Sequence, residues 1–233
     1  MEIVDRYREQ IHLRNIPPSD RPHFDRHLVA IPEVLATDTF RLIYESLHAS
    51  TDAVRIRLPG HKSGATISYQ SCHTVIPGVI ALYHSPALRQ LISAIVDVSV
   101  VPTPLHDQSS CSILIYDQAG DHIGWHHDLN FYAGRHFTAL LPLANEDASG
   151  EGLSSATLRV RLGRDECEVP TYPNTLVLFE GAHVLHKVTP LGAGEKRIIL
   201  SMTFCTDPAS TALQSTARRF KDIAYYGLKA LWT

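Results

Sequence analysis

From about residue 98 the chain breaks into short segments separated by Gly, Pro and Asn. Eight of them, at 111–116, 121–128, 136–143, 156–162, 166–169, 175–179, 184–189 and 197–205, read as strands. So many short strands with such turns suggest an antiparallel sandwich or jelly roll. Helical patterns flank them. Thr37 or Asp38 can cap a helix running to about His48, with Phe40, Ile43, Tyr44 and Leu47 on one face. Ser85-Pro86 opens another, with Leu88, Leu91, Ile92 and Ile95 on its apolar face. The tail carries Leu213, Ala217, Phe220, Ile223, Tyr226 and Leu228 at helical spacing. Residues 2–14 suit a short amphipathic helix, 15–26 a proline-containing loop, and 55–83 short strand-like pieces broken by Gly60, Gly64 and Gly78. The expected fold class is α+β in one domain: a mainly helical support at 1–100, a β core at 101–206 and a C-terminal helix at 207–233. Helices from both ends are expected on one outer face of the core.

Within the β region, residues 116–128 end in His126-His127-Asp128. Side chains two apart on a strand share a face, so His126 and Asp128 are expected on one side and His127 on the other. An imidazole and a carboxylate on one face make two-thirds of a 2-His-1-carboxylate triad, which binds non-haem Fe(II) and leaves positions open. Alone, the pattern is weak in a chain with 14 His and 24 Asp plus Glu. It then reads equally well as a polar strand edge.

Composition narrows the partners. A formal charge of −3 and a pI near 6.5 argue against a nucleic-acid groove. No apolar run approaches a membrane span, and the N-terminus lacks a signal-peptide pattern. The four cysteines are scattered without a C-x-x-C pair and read as reduced thiols, which implies a cytoplasmic location.

The rest of the candidate site lies downstream. His186 arrives after a long gap, followed by Val188 and Pro190, and Arg197 opens the next strand eleven residues later. His126-x-Asp128, His186-Lys-Val-Thr-Pro190 and Arg197, in this order and spacing, resemble the Fe(II)/2-oxoglutarate-dependent oxygenases. So do the segment 134–145 and the lead-in Pro173-x-x-Leu176-Val-Leu-Phe179. The resemblance covers roughly residues 108–206 and implies a double-stranded β-helix, or jelly-roll, core. Pro102 to Ser110, with Asn130-Phe-Tyr132-x-Gly134-Arg-His-Phe-Thr138, is similar to a small group of bacterial enzymes that halogenate or hydroxylate free amino acids. The halogenases of that group carry glycine in place of the carboxylate ligand. This chain keeps Asp128, which favours hydroxylation.

The resemblance implies that His126, Asp128 and His186 hold Fe(II), and that Arg197 and Tyr116 meet the cosubstrate 2-oxoglutarate. O2 would be consumed, succinate and CO2 released, and ascorbate would help in vitro. A guanidinium suits the far carboxylate because it offers two parallel hydrogen bonds. The alternative for Arg197 is a surface pair with Glu195, and for Tyr116 a core aromatic. His183 competes with His186 as third ligand. Asn130, His122 and Thr203, with Ser201, are candidate substrate contacts on parity or loop position. The expected partner is a small polar molecule, a free amino acid, with no nucleic acid or membrane. An exposed apolar face on the terminal helices would suggest a homodimer. The same chemistry on a peptide, desaturation or cyclisation, and a non-catalytic metal-binding β-barrel are the competing readings.

Overall fold

In the computed structural model, residues 7–25, 28–47 and 53–226 are described, with side chains to residue 222. Twelve strands form one antiparallel, nearly closed barrel. Strands β1 (Leu28–Ile31), β2 (Val54–Leu58), β3 (Lys62–Ile67) and β4 (Val101–Pro102) come from the first half of the chain. Then follow β5 (Cys111–Tyr116), β6 (His122–His126), β7 (His136–Glu146), β8 (Leu158–Leu162), β9 (Asp165–Val169), β10 (Leu176–Phe179), β11 (Leu185–Val188) and β12 (Lys196–Cys205). All eight strands expected from the sequence form, and the jelly-roll core is as expected. The order is β1-β10-β7-β12-β5-β3-β6-β11-β8-β9, with β2 on β3 and β4 on β12.

The long strands β7 and β12 separate two environments by alternation. Ala139, Leu141 and Leu143 of β7, with Ile198, Leu200, Met202 and Phe204 of β12, face outward into the main apolar core. Against them pack α1 (Thr37–Ser46), α2 (Tyr69–Val75), α3 (Pro77–Tyr83) and α4 (Pro86–Val96). Each Leu or Ile fully buried there contributes about 1.5–3 kcal/mol. The outer layer can therefore stabilise the fold while the inner face carries polar groups. The opposite residues, Thr138 and Leu140 on β7 and Arg197, Ile199, Ser201 and Thr203 on β12, line an interior cavity.

The N-terminal helices match their expected faces. Ile43 is buried with Phe40, Tyr44 and Leu47 packed around it, and Leu88, Leu91, Ile92 and Ile95 are all buried. Proline opens α4 as expected, although Ser85 makes no side-chain cap. The first helix is capped differently from expectation. Ala36 occupies its N-cap, and Thr39 is buried, donating to the Gln10 carbonyl at 2.9 Å and accepting from His12 N–H at 3.0 Å.

Three expectations need correction. First, 55–83 is strand only in its first part. Ser68 accepts from Ser71 N–H and Pro77 sits in a first turn, so 69–83 forms two helices. Second, β3 is part of the barrel wall: it inserts between β5 and β6, with Ala65 opposite Ile115 and Lys62 opposite Ile123. Third, the C-terminal helix α5 (Ala212–Tyr226) does not join the helical layer. It lies beside β2 and β3 and reaches the cavity mouth. Its polar side is inward: Arg218 and Asp222 are buried, while Leu213 and Phe220 are 80% and 69% exposed and Ala217 is exposed. The side chains of Ile223 and Tyr226, and all of Leu228, lie outside the described residues, as do residues 2–6 of the helix expected at 2–14; of 7–14 only Tyr7 and Arg8 are helical, and Leu13 makes an isolated β-bridge to Leu35. No single helix among the described residues is long and apolar enough to cross a membrane.

Candidate active site

His126, Asp128 and His186 come together at one end of the barrel, their ligand atoms within 4.8 Å of one another. Strand pairing sets the two histidines directly opposite, His186 on β11 against His126 on β6. Asp128 arrives differently from the expectation of a continuous strand. Strand β6 ends at His126, and the Asp128 N–H donates to the Gly181 carbonyl at 2.9 Å. Gly181 leaves room for the carboxylate: a Cβ there would lie 2.2 Å from Asp128 Oδ2.

Each imidazole is oriented by its own strand. Nδ1 of His126 is 2.9 Å from the Gly124 carbonyl, and Nδ1 of His186 is 2.8 Å from the Val184 carbonyl. A carbonyl only accepts, so Nδ1 carries the proton in both rings and the Nε2 lone pairs are left for a metal. Both Nε2 atoms lie 3.7 Å from Asp128 Oδ1. Thr138 donates to the other carboxylate oxygen at 2.5 Å. Burial and the neighbouring His186 push the His126 pKa down to about 4, so the ring is neutral at pH 7. Burial alone would raise the Asp128 pKa, but His186, His126 and the Thr138 hydroxyl outweigh it and hold the carboxyl below its usual range. Two imidazoles and one carboxylate suit a divalent first-row metal such as Fe(II).

Arg197 lines the same cavity at 1% exposure, and its Nε and Nη2 have no hydrogen-bond partner. Burial lowers its pKa. A buried cation with idle donors costs several kcal/mol unless an anion completes it. The alternative of a surface pair with Glu195 is excluded, because Glu195 bonds Ser155 and the Gly192 N–H instead. Tyr116, opposite Arg197 across the β5–β12 ladder, puts its ring 5.6 Å from the guanidinium. It is both a cavity wall and a buried aromatic, and burial raises its pKa, keeping the phenol protonated. Leu140, Ile199 and Val188 line the same cavity.

The weaker candidates divide. Thr203 and Ser201 line the cavity. His122 does not, for a reason of register. His186 pairs with His126 but Val188 pairs with Ile123, so β6 carries one extra residue. That bulge reverses the parity, Ile123 faces the cavity, and His122 turns to the Gly120 carbonyl. Asn130 is also absent from the cavity wall; its amide is engaged by the Gly134 carbonyl and the Tyr132 N–H. His183 is exposed on the turn before β11 and is not in the triad. His127, expected outward, is exposed but stands at the cavity rim. Sequence reasoning missed several polar cavity residues, among them Lys62, Asp107, His136, Thr138 and Lys221. Thr138 and His136 share strand parity on β7 and were findable by it. Lys221 carried no signal, since a lysine on an amphipathic helix usually faces solvent.

No protein-family model and no curated protein matches the chain. Solved structures do. AviO1 from Streptomyces viridochromogenes Tue57 superposes with a TM-score of 0.63 at 17% identity, over 85% of this chain and 98% of that one. A prolyl hydroxylase from Trichoplax adhaerens, in complex with a hypoxia-inducible-factor peptide fragment, gives 0.62 at 14% identity, over 88% and 92%. The non-haem α-ketoglutarate-dependent epimerase SnoN of nogalamycin biosynthesis gives 0.64 at 13%, over 91% and 86%. At these identities the likeness is one of fold, and the fold of this chain is the jelly roll that these proteins share.

Proposed function

We propose that the chain is an Fe(II)- and 2-oxoglutarate-dependent dioxygenase that hydroxylates an unactivated C–H of a small polar substrate, a free amino acid, with release of succinate and CO2. The observation that carries this reading is Arg197: a buried guanidinium with two unpartnered nitrogens on the same cavity as a His-Asp-His triad. A purely structural metal site has no use for it. Bound Fe(II) and 2-oxoglutarate would supply the oxidising power. The chain's own groups orient and exclude. His126, Asp128 and His186 would hold the metal on one side, with Thr138 fixing the carboxylate. Arg197 would bind the distal carboxylate of 2-oxoglutarate through parallel hydrogen bonds, with the Tyr116 ring beside it. Leu114, Leu140, Leu158 and Ile199 keep water from the reacting centre. Asp128 occupies the ligand position that glycine holds in the halogenases, which supports hydroxylation.

A peptide substrate is the second reading, favoured by the Trichoplax neighbour that carries a peptide. Desaturation, cyclisation and a non-catalytic metal module complete the alternatives. The four free cysteines support a cytoplasmic location, and the exposed Leu213 and Phe220 support a homodimer. The test is mass spectrometry of Fe(II)-loaded protein with 2-oxoglutarate, ascorbate, chloride and a panel of free amino acids. A substrate gaining one oxygen with matched succinate, abolished in His186→Ala, is expected. Loss of two hydrogens would redirect the reaction type, and chlorine incorporation would overturn the role given to Asp128. Succinate stimulated only by peptides would select the second reading, and none at all with metal bound would select the metal module.

A further inference from the structure

The cavity has two chemically different ends. Arg197, Ile199, Ser201 and Thr203 face it in turn along β12, which at 3.3 Å per residue spans roughly 20 Å. Arg197 is one buried cation on this wall, and Lys62 is a second one lining the cavity. The triad lines the same cavity, and its Asp128 accepts from Thr138, which pairs with Thr203. Beyond Thr203 the wall is made by Asp107, Ser109, His136 and Lys221. Lys221 is delivered by helix α5, whose Arg218 bonds the His106 carbonyl at 2.6 Å and Asp222 at 2.7 Å. The Lys221 ammonium bonds Asp107 at 2.9 Å and Ser109 Oγ at 2.6 Å, and Asp107 also accepts from the Tyr132 hydroxyl at 2.8 Å. His136 is 7% exposed, and its Nδ1 has no hydrogen-bond partner.

We infer that this end is the primary-substrate subsite, and that Lys221, Asp107 and His136 recognise the zwitterionic head group of a free amino acid. The inference rests on the oxygenase reading above and deepens it. A carboxylate bearing an adjacent ammonium needs a cation and an anion side by side. Lys221 and Asp107 are that pair, the only such direct ion pair on this cavity wall among the described residues. A neutral or capped ligand would leave both charges without a gain for separating them. The idle His136 Nδ1 supplies one more hydrogen bond, and His136 is a cavity-lining residue whose ring nitrogen the chain itself leaves unsatisfied. Lys221 is thus a specificity-determining residue, and α5 is part of the site.

The experiment is calorimetric binding to anaerobic, Fe(II)-loaded full chain saturated with 2-oxoglutarate. The probes are the proteinogenic amino acids, each compared with its C-terminal amide and its N-acetyl derivative. At least one free amino acid is expected to bind, with both capped forms at least tenfold weaker. In Lys221→Gln the acid-over-amide preference should collapse, and His136→Gln should weaken the acid with a smaller change in that ratio. 2-Oxoglutarate should bind both variants as it binds the native chain, which shows that the fold and the Arg197 end persist. Capped forms binding as well as the free acid, a full preference surviving in Lys221→Gln, or binding of doubly capped peptides alone would overturn the inference while leaving the oxygenase reading intact. Failure of the native, metal-loaded chain to bind 2-oxoglutarate would sink that reading itself.

Discussion

At the Arg197 end of the cavity a buried cation has two idle donors, whereas at the Lys221 end every charged group already has an opposite charge beside it. Lys221 lies within 2.9 Å of Asp107 and 3.2 Å of Asp222, and Arg218 within 2.7 Å of Asp222. The same chemical problem, charge inside a protein, is solved once by leaving it for a ligand and once by internal pairing. The first arrangement suits an anion bound in every cycle. The second suits a variable substrate that must exchange partners, and it holds the C-terminal helix on the cavity mouth meanwhile.

The difference can be broken from either side. The largest effect is expected at the metal: His186→Ala should lose more than the 10–100-fold in metal affinity that supporting residues typically cost, read by metal content after dialysis. Next comes the self-paired end. Asp107→Asn leaves Lys221 partly uncompensated and should destabilise the fold by about 3–5 kcal/mol in denaturant unfolding. Acid should act in the same way. Burial alone would raise the Asp107 pKa, but Lys221, Ser109 and Tyr132 hold it far below the usual value of 3.8. The folded chain therefore binds that proton less readily than the unfolded one. Its contribution is fully present above the unfolded pKa and is lost as pH falls below about 4 toward the depressed folded value, and Asp107→Asn should flatten that part of the stability profile. At the orphaned end the sign reverses. Arg197→Met should abolish 2-oxoglutarate binding yet stabilise the ligand-free chain by about 1–4 kcal/mol, seen as a raised melting temperature. A destabilised Arg197→Met would mean that the guanidinium is not idle. The smallest effect is at Thr138→Val, which keeps the ligands but frees Asp128 and should weaken metal binding about 10–100-fold.

Much of the site was legible because its residues sit in local patterns. His126, Asp128, His186 and Arg197 are recognisable by type and spacing, and period-2 alternation revealed the eight core strands. What stayed hidden depends on non-local geometry. The extra residue in β6 is a matter of register with β11, so nothing in the sequence near His122 announced that it points away from the cavity. The insertion of β3 between β5 and β6 joins segments about 46 to 61 residues apart. Helix α5 misled for a physical reason: apolar periodicity indicates a buried face only when packing is driven by apolar area, and among its described side chains this helix docks through Arg218, Lys221 and Asp222.

The central claim, that the triad and Arg197 together form one 2-oxoglutarate site, is tested most directly by anaerobic calorimetry of 2-oxoglutarate with native and Arg197→Met chains, each with and without Fe(II). One molecule bound per native chain, strongly only when Fe(II) is present and lost in Arg197→Met, is the result this account predicts. Binding that is indifferent to Fe(II), or that survives unchanged in Arg197→Met, would contradict it.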